Sequence, residues 1–214
     1  LQIIPCFDAC ISSRMTVGAF EGMNMMGIRD IPLNRAGNAV VKRLADILLS
    51  LFFILLTSPL MLLAVVGVKL SSPGPILFKQ ERIGKNKKPF KMLKFRSMRL
   101  NAKQQTGWSR DHDDRRTAFG SFIRKFSIDE LPQFFNVLRG DMSIVGPRPE
   151  VPFFVDRFRE EIPLYMIKHY VKPGITGWAQ VHGLRGDTSI EKRIEYDIWY
   201  IENWTWWLDI EIMF

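Results

Sequence analysis

Cysteine and histidine are scarce in this chain. Two cysteines, Cys6 and Cys10, and three scattered histidines occur in 214 residues. The first count excludes a disulfide-stapled secreted scaffold. The second disfavours a histidine-built metal centre, and the cysteines have no second ligand pair at zinc spacing. Internal repeats and low-complexity tracts are absent, which excludes solenoid and disordered architectures. Acidic charge is in the minority: 22 Asp and Glu face 30 Lys and Arg, for a net charge of +8. Hydrophobic residues at 47% and charged residues at 24% are values of a globular chain. At about 150 residues per domain, the length allows one domain, or one plus a fragment of another. The chain opens on Leu1 rather than Met and closes in an apolar run at Phe214. The expectation is a piece cut from a longer protein.

One long apolar run stands out. Ile47 to Val68 are 22 consecutive residues without a charge. As a helix this run is ~33 Å long, enough for a bilayer core of about 30 Å. It lies too far from the start for a signal peptide. A buried core helix is the alternative, but such helices seldom run so far without a polar face. Ser58-Pro59 sits at the centre of the run. Proline removes a backbone donor and clashes with the preceding turn, so the helix should bend there, with Ser58 bonding back to a carbonyl. Both flanks are basic: Arg35, Lys42 and Arg43 precede the run, and Lys69, Lys79, Arg82, Lys85, Lys87, Lys88 and Lys91 follow it. The positive-inside rule then places both ends on the cytoplasmic face, which a broken re-entrant helix satisfies and a single span does not. A proline-kinked span with an indifferent flank is the competing reading. An amphipathic lead (Val40, Val41, Leu44, Ala45) predicts a helix start near Gly37 or Asn38, either of which could cap it.

The remaining organisation is coarser. In residues 1–35, LQIIPCF and MMGIRDIPL read as strands around a loop. SSPGP (71–75) is a turn cluster. PILFKQERIG and KPFKMLKFRSM alternate apolar and basic residues, as two short strands joined by GKNKK would. Residues 99–118 are polar, a loop or mobile helix. FGSFIRKFSIDELPQFFNVLRG reads as two helical pieces meeting near Ser127–Pro132. GDMSIVGPRPE (140–150) reads as a loop, VPFFVDRFREEIPLYMIKHY as a helix interrupted by proline, and KPGITGWAQVHG as a loop with a short strand. TSIEKRIEYDIWYIENWTWWLDI is an amphipathic helix and its exit.

Between Lys79 and Lys125 stand 15 Lys or Arg against 4 Asp or Glu. A solvated face, anionic lipid headgroups, nucleic acid and substrate phosphates are the available readings. The neighbouring apolar run favours lipid and phosphate, and no RNP-like strand or helix-turn-helix supports nucleic acid. Trp199, Trp204, Trp206 and Trp207, with Tyr196 and Tyr200, fit an interfacial belt or ordinary core packing equally well.

The local pattern with most chemistry in it is RKFSIDELPQ (124–133). Ser127-x-x-Glu130 fits a capping box, and Pro132 argues for a later start with Asp129 as N-cap. In either case both carboxylates sit in a first helical turn, where the dipole favours their ionised forms and attracts phosphate. Asp129 as a nucleophile on phosphorus and Glu130 as a Mg²⁺ ligand is the catalytic alternative to a cap. Spacing alone leaves both open.

From about Lys42 to Phe214 the chain resembles the bacterial sugar transferases, the monotopic phosphoglycosyl transferases that use a polyprenyl phosphate acceptor. The resemblance is carried by KRLADILLS with its central SP, PGPILFKQERIG, KFRSM, SIDELPQFFNVLRGDMSIVGPRPE, KPGITGWAQVHG and IEYDIWYIENW, in order. Residues 150–207 look most like the undecaprenyl-phosphate glucose phosphotransferases of exopolysaccharide assembly. Departures are Leu131-Pro132, where short members often have Leu-Leu, and His182, where many have Asn.

The resemblance implies an α+β fold: a helix-rich, membrane-associated catalytic domain (36–214) with a broken re-entrant membrane helix at about 38–70, a short β-hairpin and amphipathic interfacial helices. Residues 1–35 would end an upstream Rossmann-like domain. Asp129 and Glu130 would be catalytic, with Glu130 holding Mg²⁺, and Ser58 and Pro59 would form the helix break. Asp129 would attack the sugar-bearing phosphorus of a UDP-sugar and expel UMP. Undecaprenyl phosphate would then take the sugar phosphate from the aspartyl intermediate. Lys94, Arg96, Arg124 and Arg148 are expected to bind substrate phosphates or nucleotide, and Glu195 and Asp197 to support the basic cluster or the metal. Gly174 and Gly177 would serve backbone conformation. The implied partners are a UDP-sugar, undecaprenyl phosphate and inner-membrane lipids, with no nucleic acid, and long members imply a homodimer. Glucose is the expected sugar, with galactose next. A basic membrane adaptor and an inverting glycosyltransferase are the rival functions. The nucleotide released separates all three: UMP, none, or UDP.

Overall fold

The computed structural model describes residues 16–20, 23–27, 31–99, 116–162, 164–186 and 188–214. The LQIIPCF strand and most of the polar stretch 99–118 lie outside them. Strand β1 (Thr16–Phe20) pairs antiparallel with β2 (Met23–Gly27), and a 3-10 turn at Pro32–Asn34 leads into helix α1.

Helix α1 (Ala36–Ser71) runs for 36 residues, slightly beyond the expected 38–70. The expected caps are not used. Arg35 occupies the N-cap, and the Asn38 Nδ2 donates back to the Pro32 carbonyl at 2.9 Å. The apolar stretch reaches a mean hydropathy of 2.5, yet only 11% of it is buried. That overturns the buried-core alternative, because a core helix of this hydropathy would be covered. Pro59 lies within the helix. Its missing N–H would have served the Leu55 carbonyl four residues back. The Ser58 hydroxyl donates to that carbonyl at 2.8 Å instead, and the Thr57 hydroxyl bonds the Phe53 carbonyl at 2.7 Å. Ser58 therefore satisfies the acceptor that proline orphans.

One side of α1 follows a helical stripe against the rest of the chain. At its start Lys42, Asp46 and Ser50 are buried; near its end Ala64 and Val68 are. The opposite side presents Leu48, Leu51, Leu55, Leu56, Leu62 and Leu63 outward.

The expected hairpin forms. Strands β3 (Leu77–Ile83) and β4 (Pro89–Phe95) pair antiparallel with Leu77 opposite Phe95, joined by a 3-10 turn at Lys85–Lys87. Helices α2 (Ala118–Lys125) and α3 (Gln133–Arg139) flank a 3-10 turn at Ile128–Glu130, as two pieces meeting near Ser127–Pro132 should. Residues 140–150 are not all loop. Strand β5 (Ser143–Val145) pairs in parallel with β6 (Gly174–Thr176). Periodicity misses such a three-residue buried strand. A Cβ at Gly174 would collide with the backbone of Gly146, so glycine serves close chain approach there rather than a positive φ. Helices α4 (Pro152–Glu161), α5 (Trp178–Val181), α6 (Ile190–Asn203) and α7 (Trp206–Met213) complete the α+β arrangement, with a 3-10 turn at Tyr165–Tyr170.

Two core clusters share strand β4. Met92 joins Val137, Met142, Tyr200, Ile201 and Trp204, while Phe95 joins Ala64, Val68, Ile123 and Ile128. Ile31 and Leu33, which precede the boundary expected at 35/36, belong to the first cluster. The tryptophans divide: Trp204 is core, whereas Trp199, Trp206 and Trp207 are exposed.

Candidate functional site

Three elements form the acid-pair site. Asp129 and Glu130 sit on the 3-10 turn after α2, Lys94 on β4, and Arg148 on the GPRP loop after β5. Neither cap reading is realised. Ser127 stands in the left-handed region at φ 55° and makes no side-chain cap, and α3 begins behind Pro132 with no capping side chain. A non-glycine residue at positive φ directly before two carboxylates is stored strain of the kind found at functional sites.

The two carboxylates have opposite surroundings. Glu130 Oε1 accepts from Lys94 Nζ at 2.7 Å and from Arg148 Nη2 at 3.0 Å. Burial alone would raise this carboxyl, but Arg148 and Lys94 more than offset it and hold Glu130 at about 2. Asp129 is 7% exposed. Burial raises its carboxyl above the ordinary range; Lys94 opposes this, the neighbouring Glu130 charge adds to it, and Arg124 opposes it again. The helix dipole was expected to favour ionisation of both. Desolvation outweighs it at Asp129, which is buried, while α3 begins only at Gln133. Paired acids whose environments push them apart are the pattern that separates two chemical roles in one site.

Of the expected phosphate contacts, Lys94 and Arg148 meet at Glu130, and Arg124 acts electrostatically on Asp129. Arg96 does not join them. It is buried, and its guanidinium donates to the Ser72 and Pro73 carbonyls and the Ser72 hydroxyl, locking the exit of α1 onto β4. In this structure the Arg96 guanidinium serves the fold rather than the acid pair. Asp197 is likewise elsewhere: it is buried 3.4 Å from Lys168. Glu195 is on the exposed face of α6.

Three supporting residues escaped sequence reasoning. Asn136 on α3 is fully buried; its Nδ2 donates to the Lys91 carbonyl and its Oδ1 accepts from the Leu93 N–H, both at 2.9 Å. This clamp sets α3 against β4 and so sets Lys94 against the acid pair. A lone amide in the apolar run FFNVL was the available signal. Arg82 Nη1 donates to the Pro149 carbonyl at 2.9 Å, and Arg193 Nη1 donates to Glu150 at 3.2 Å. Together they hold the loop that carries Arg148.

Among the described residues no group of three or more His, Cys, Asp or Glu could enclose a metal ion. Both cations bond Oε1 of Glu130, which leaves Oε2 without a donor among the described residues. One free, permanently ionised carboxylate oxygen beside a second carboxyl suits Mg²⁺, which takes one or two carboxylates and completes its shell with substrate phosphates and water.

A helix-rich α+β domain with an exposed apolar helix and a cation-bound acid pair is the class defined so far. The chain belongs to the bacterial sugar transferase family, whose profile matches residues 37–214. It is 52% identical over 179 residues to the UDP-N-acetylgalactosamine-undecaprenyl-phosphate N-acetylgalactosaminephosphotransferase of Aeromonas hydrophila, covering 82% of this chain and 42% of that protein. It is 47% identical over 200 residues to the UDP-glucose:undecaprenyl-phosphate glucose-1-phosphate transferase of Escherichia coli (strain K12), covering 91% and 43%. It is 39% identical over 198 residues to the undecaprenyl-phosphate galactose phosphotransferase of Salmonella typhimurium, covering 85% and 40%. The chain thus spans less than half the length of these relatives.

Proposed function

We propose that this chain carries the catalytic domain of a phosphoglycosyl transferase that moves a hexose-1-phosphate from a UDP-sugar to undecaprenyl phosphate. The observation that carries the reading is the split acid pair, with Asp129 in no ion pair among the described residues and Glu130 fixed between two cations. An Asp129 oxygen attacks the sugar-bearing phosphorus, the anhydride bond to UMP breaks, and UMP leaves with the electron pair. An oxygen of undecaprenyl phosphate then attacks the same phosphorus, the acyl-phosphate bond breaks, and the Asp129 carboxylate returns. One phosphoanhydride replaces another, so no energy source is required.

Lys94 and Arg148 neutralise phosphate oxygens and keep Glu130 ionised, while Arg124 draws charge toward Asp129. Glu130 Oε2 is the atom that would hold Mg²⁺, which supplies charge neutralisation to the diphosphate. Burial keeps Asp129 poorly hydrated, which sharpens its nucleophilicity once ionised.

We assign the domain to the cytoplasmic face of the inner membrane, with α1 entering and returning. Both ends of α1 dock on one body: Lys42 on Asp209 and Asp46 on Ser143, then Ala64 and Val68 on the cluster of Phe95 and Ile123. A straight helix would separate Lys42 and Val68 by roughly 39 Å, more than a hydrocarbon core. A span would therefore bring the charged site between them into lipid. Residues 1–35 are assigned to the end of an upstream Rossmann-like domain plus a linker, whose Ile31 and Leu33 pack on the catalytic core. Pro59→Ala should straighten α1 and change the accessibility of an N-terminal tag; an unmoved tag means that proline does not set the topology.

The relatives differ in the sugar they are named for, so glucose is the first donor to test, against galactose and N-acetylgalactosamine. The deciding experiment incubates the chain with each UDP-sugar, Mg²⁺ and undecaprenyl phosphate. UMP release, and a hexose-phosphate adduct on Asp129 by mass spectrometry with donor alone, is the expected result. UDP release, or no adduct, refutes it.

A further inference from the structure

Helix α3 has a second charged neighbourhood at its other end, about 10 Å from the acid pair for a seven-residue helix. Here α1 starts its course along the body, and a cavity of about 60 Å³ opens behind its first turns. Lys42, Arg43 and Asp46 line it from α1, Lys85 from the hairpin turn, and Lys172 from the segment before β6.

The charges there do not close. Lys42 is bound to Asp209, whose other oxygen accepts from Tyr200. Arg43 donates to the Val137 and Leu138 carbonyls at 2.6 and 2.7 Å, the last turn of α3. Asp46 Oδ1 is taken by the Ser143 hydroxyl at 2.9 Å and the Ile144 N–H at 3.0 Å. Lys85 and Lys172 form no ion pair or hydrogen bond among the described residues. Lys172 is half-buried, and its ammonium is pushed below its ordinary value by desolvation and by Arg43, with Lys85 adding to this and Asp46 and Asp141 only partly opposing it. Beside the Lys42–Asp209 pair, three cations thus line one cavity with a single carboxylate, Asp46, whose Oδ1 is already engaged. Such a set binds a multi-oxygen anion better than water.

The position says which anion reaches it. The outer face of these same turns of α1 is apolar and exposed at Val40, Val41, Leu44 and Leu48. Asp209 ties them to α7, which exposes Trp206, Trp207 and Ile210. Aromatic and aliphatic groups side by side mark headgroup depth.

We propose that the cavity formed by Arg43, Lys85 and Lys172 binds a phosphate group, presented by the headgroup of an anionic membrane phospholipid. The site lies apart from Asp129 and Glu130, and it holds the first turns of α1 at headgroup level. Its lipid source rests on the membrane reading above; its phosphate chemistry does not.

The test uses the full chain in neutral detergent, titrated separately with dihexanoyl-phosphatidylglycerol and with inorganic phosphate. Saturable binding of the lipid is expected, weakened by about fivefold in Lys85→Gln or Lys172→Gln and more than tenfold in the pair. A charge-matched control, Lys79→Gln with Lys125→Gln, removes two exposed lysines outside the cavity and should weaken binding less than threefold. Equal affinity for inorganic phosphate supports the phosphate site with free phosphate as its source. No saturable binding of either probe, or equal loss in the control pair, overturns the proposal. Flotation of the unaltered chain on neutral phosphatidylcholine vesicles tests the membrane reading separately. Failure there with lysine-dependent phosphate binding intact removes the lipid source alone.

Discussion

The two ends of α3 carry opposite electrostatic designs. Before its first turn, a carboxylate meets two cations at hydrogen-bond distance, and Glu130, Lys94 and Arg148 neutralise one another locally. After its last turn, cations collect around a cavity, and Lys85 and Lys172 find no anion among the described residues. Helix, hairpin and loop contribute to both. The difference lies in whether the protein supplies the counter-charge itself. Where it does, the geometry is preorganised, and Asp129 can stay buried with no ion pair among the described residues. Where it does not, the chain holds a place for charge from outside.

The largest effect should come from Asp129→Asn. Turnover should vanish while vesicle association persists. The carboxyl of Asp129 is raised in the fold, so its ionised form opposes folding above its ordinary pKa. Asn removes that penalty, and the variant should melt higher than the parent at pH 7. A lower melting temperature would mean that Asp129 is structural.

Glu130→Gln should do the reverse for stability. A carboxyl held at about 2 against 4.5 when unfolded contributes on the order of 3 kcal/mol, present above pH 4.5 and lost as pH falls toward 2. Denaturant unfolding across that range should show the acid loss in the parent and a flatter curve in Glu130→Gln. Equal slopes would break the comparison.

A matched pair of substitutions comes next. Lys94→Gln strips Glu130 of a buried partner and should destabilise the chain by about 2 kcal/mol. Lys172→Gln strips nothing of a partner and relieves a desolvated ammonium, so its effect should be within about 0.5 kcal/mol and toward stabilisation. Similar losses at both lysines would show that the cavity is a closed structural network.

Much of this was legible beforehand. The apolar run, its Ser-Pro centre, the alternating hairpin and the two helical pieces around Ser127–Pro132 are local patterns, and each appears where its periodicity or turn chemistry puts it. The parallel pair β5 and β6 was not legible, because three buried residues have no period and their partner lies some 30 positions away. Arg96 could not be told from Lys94 on spacing. Two residues apart at the end of β4, Arg96 just past the strand reaches the Ser72 and Pro73 carbonyls, whereas Lys94 reaches Glu130.

The sequence by itself determined that a long uncharged helix, a basic surface and an adjacent acid pair share one chain, because length, charge and adjacency are written in covalent order. Only the tertiary structure decided that Asp129 is buried while Glu130 is bound by two cations, and that Arg43, Lys85 and Lys172 line one cavity. Burial and counter-charge are set by residues distant in sequence, and desolvation in the folded body, rather than the identity of a side chain, fixes how strongly each charge is felt.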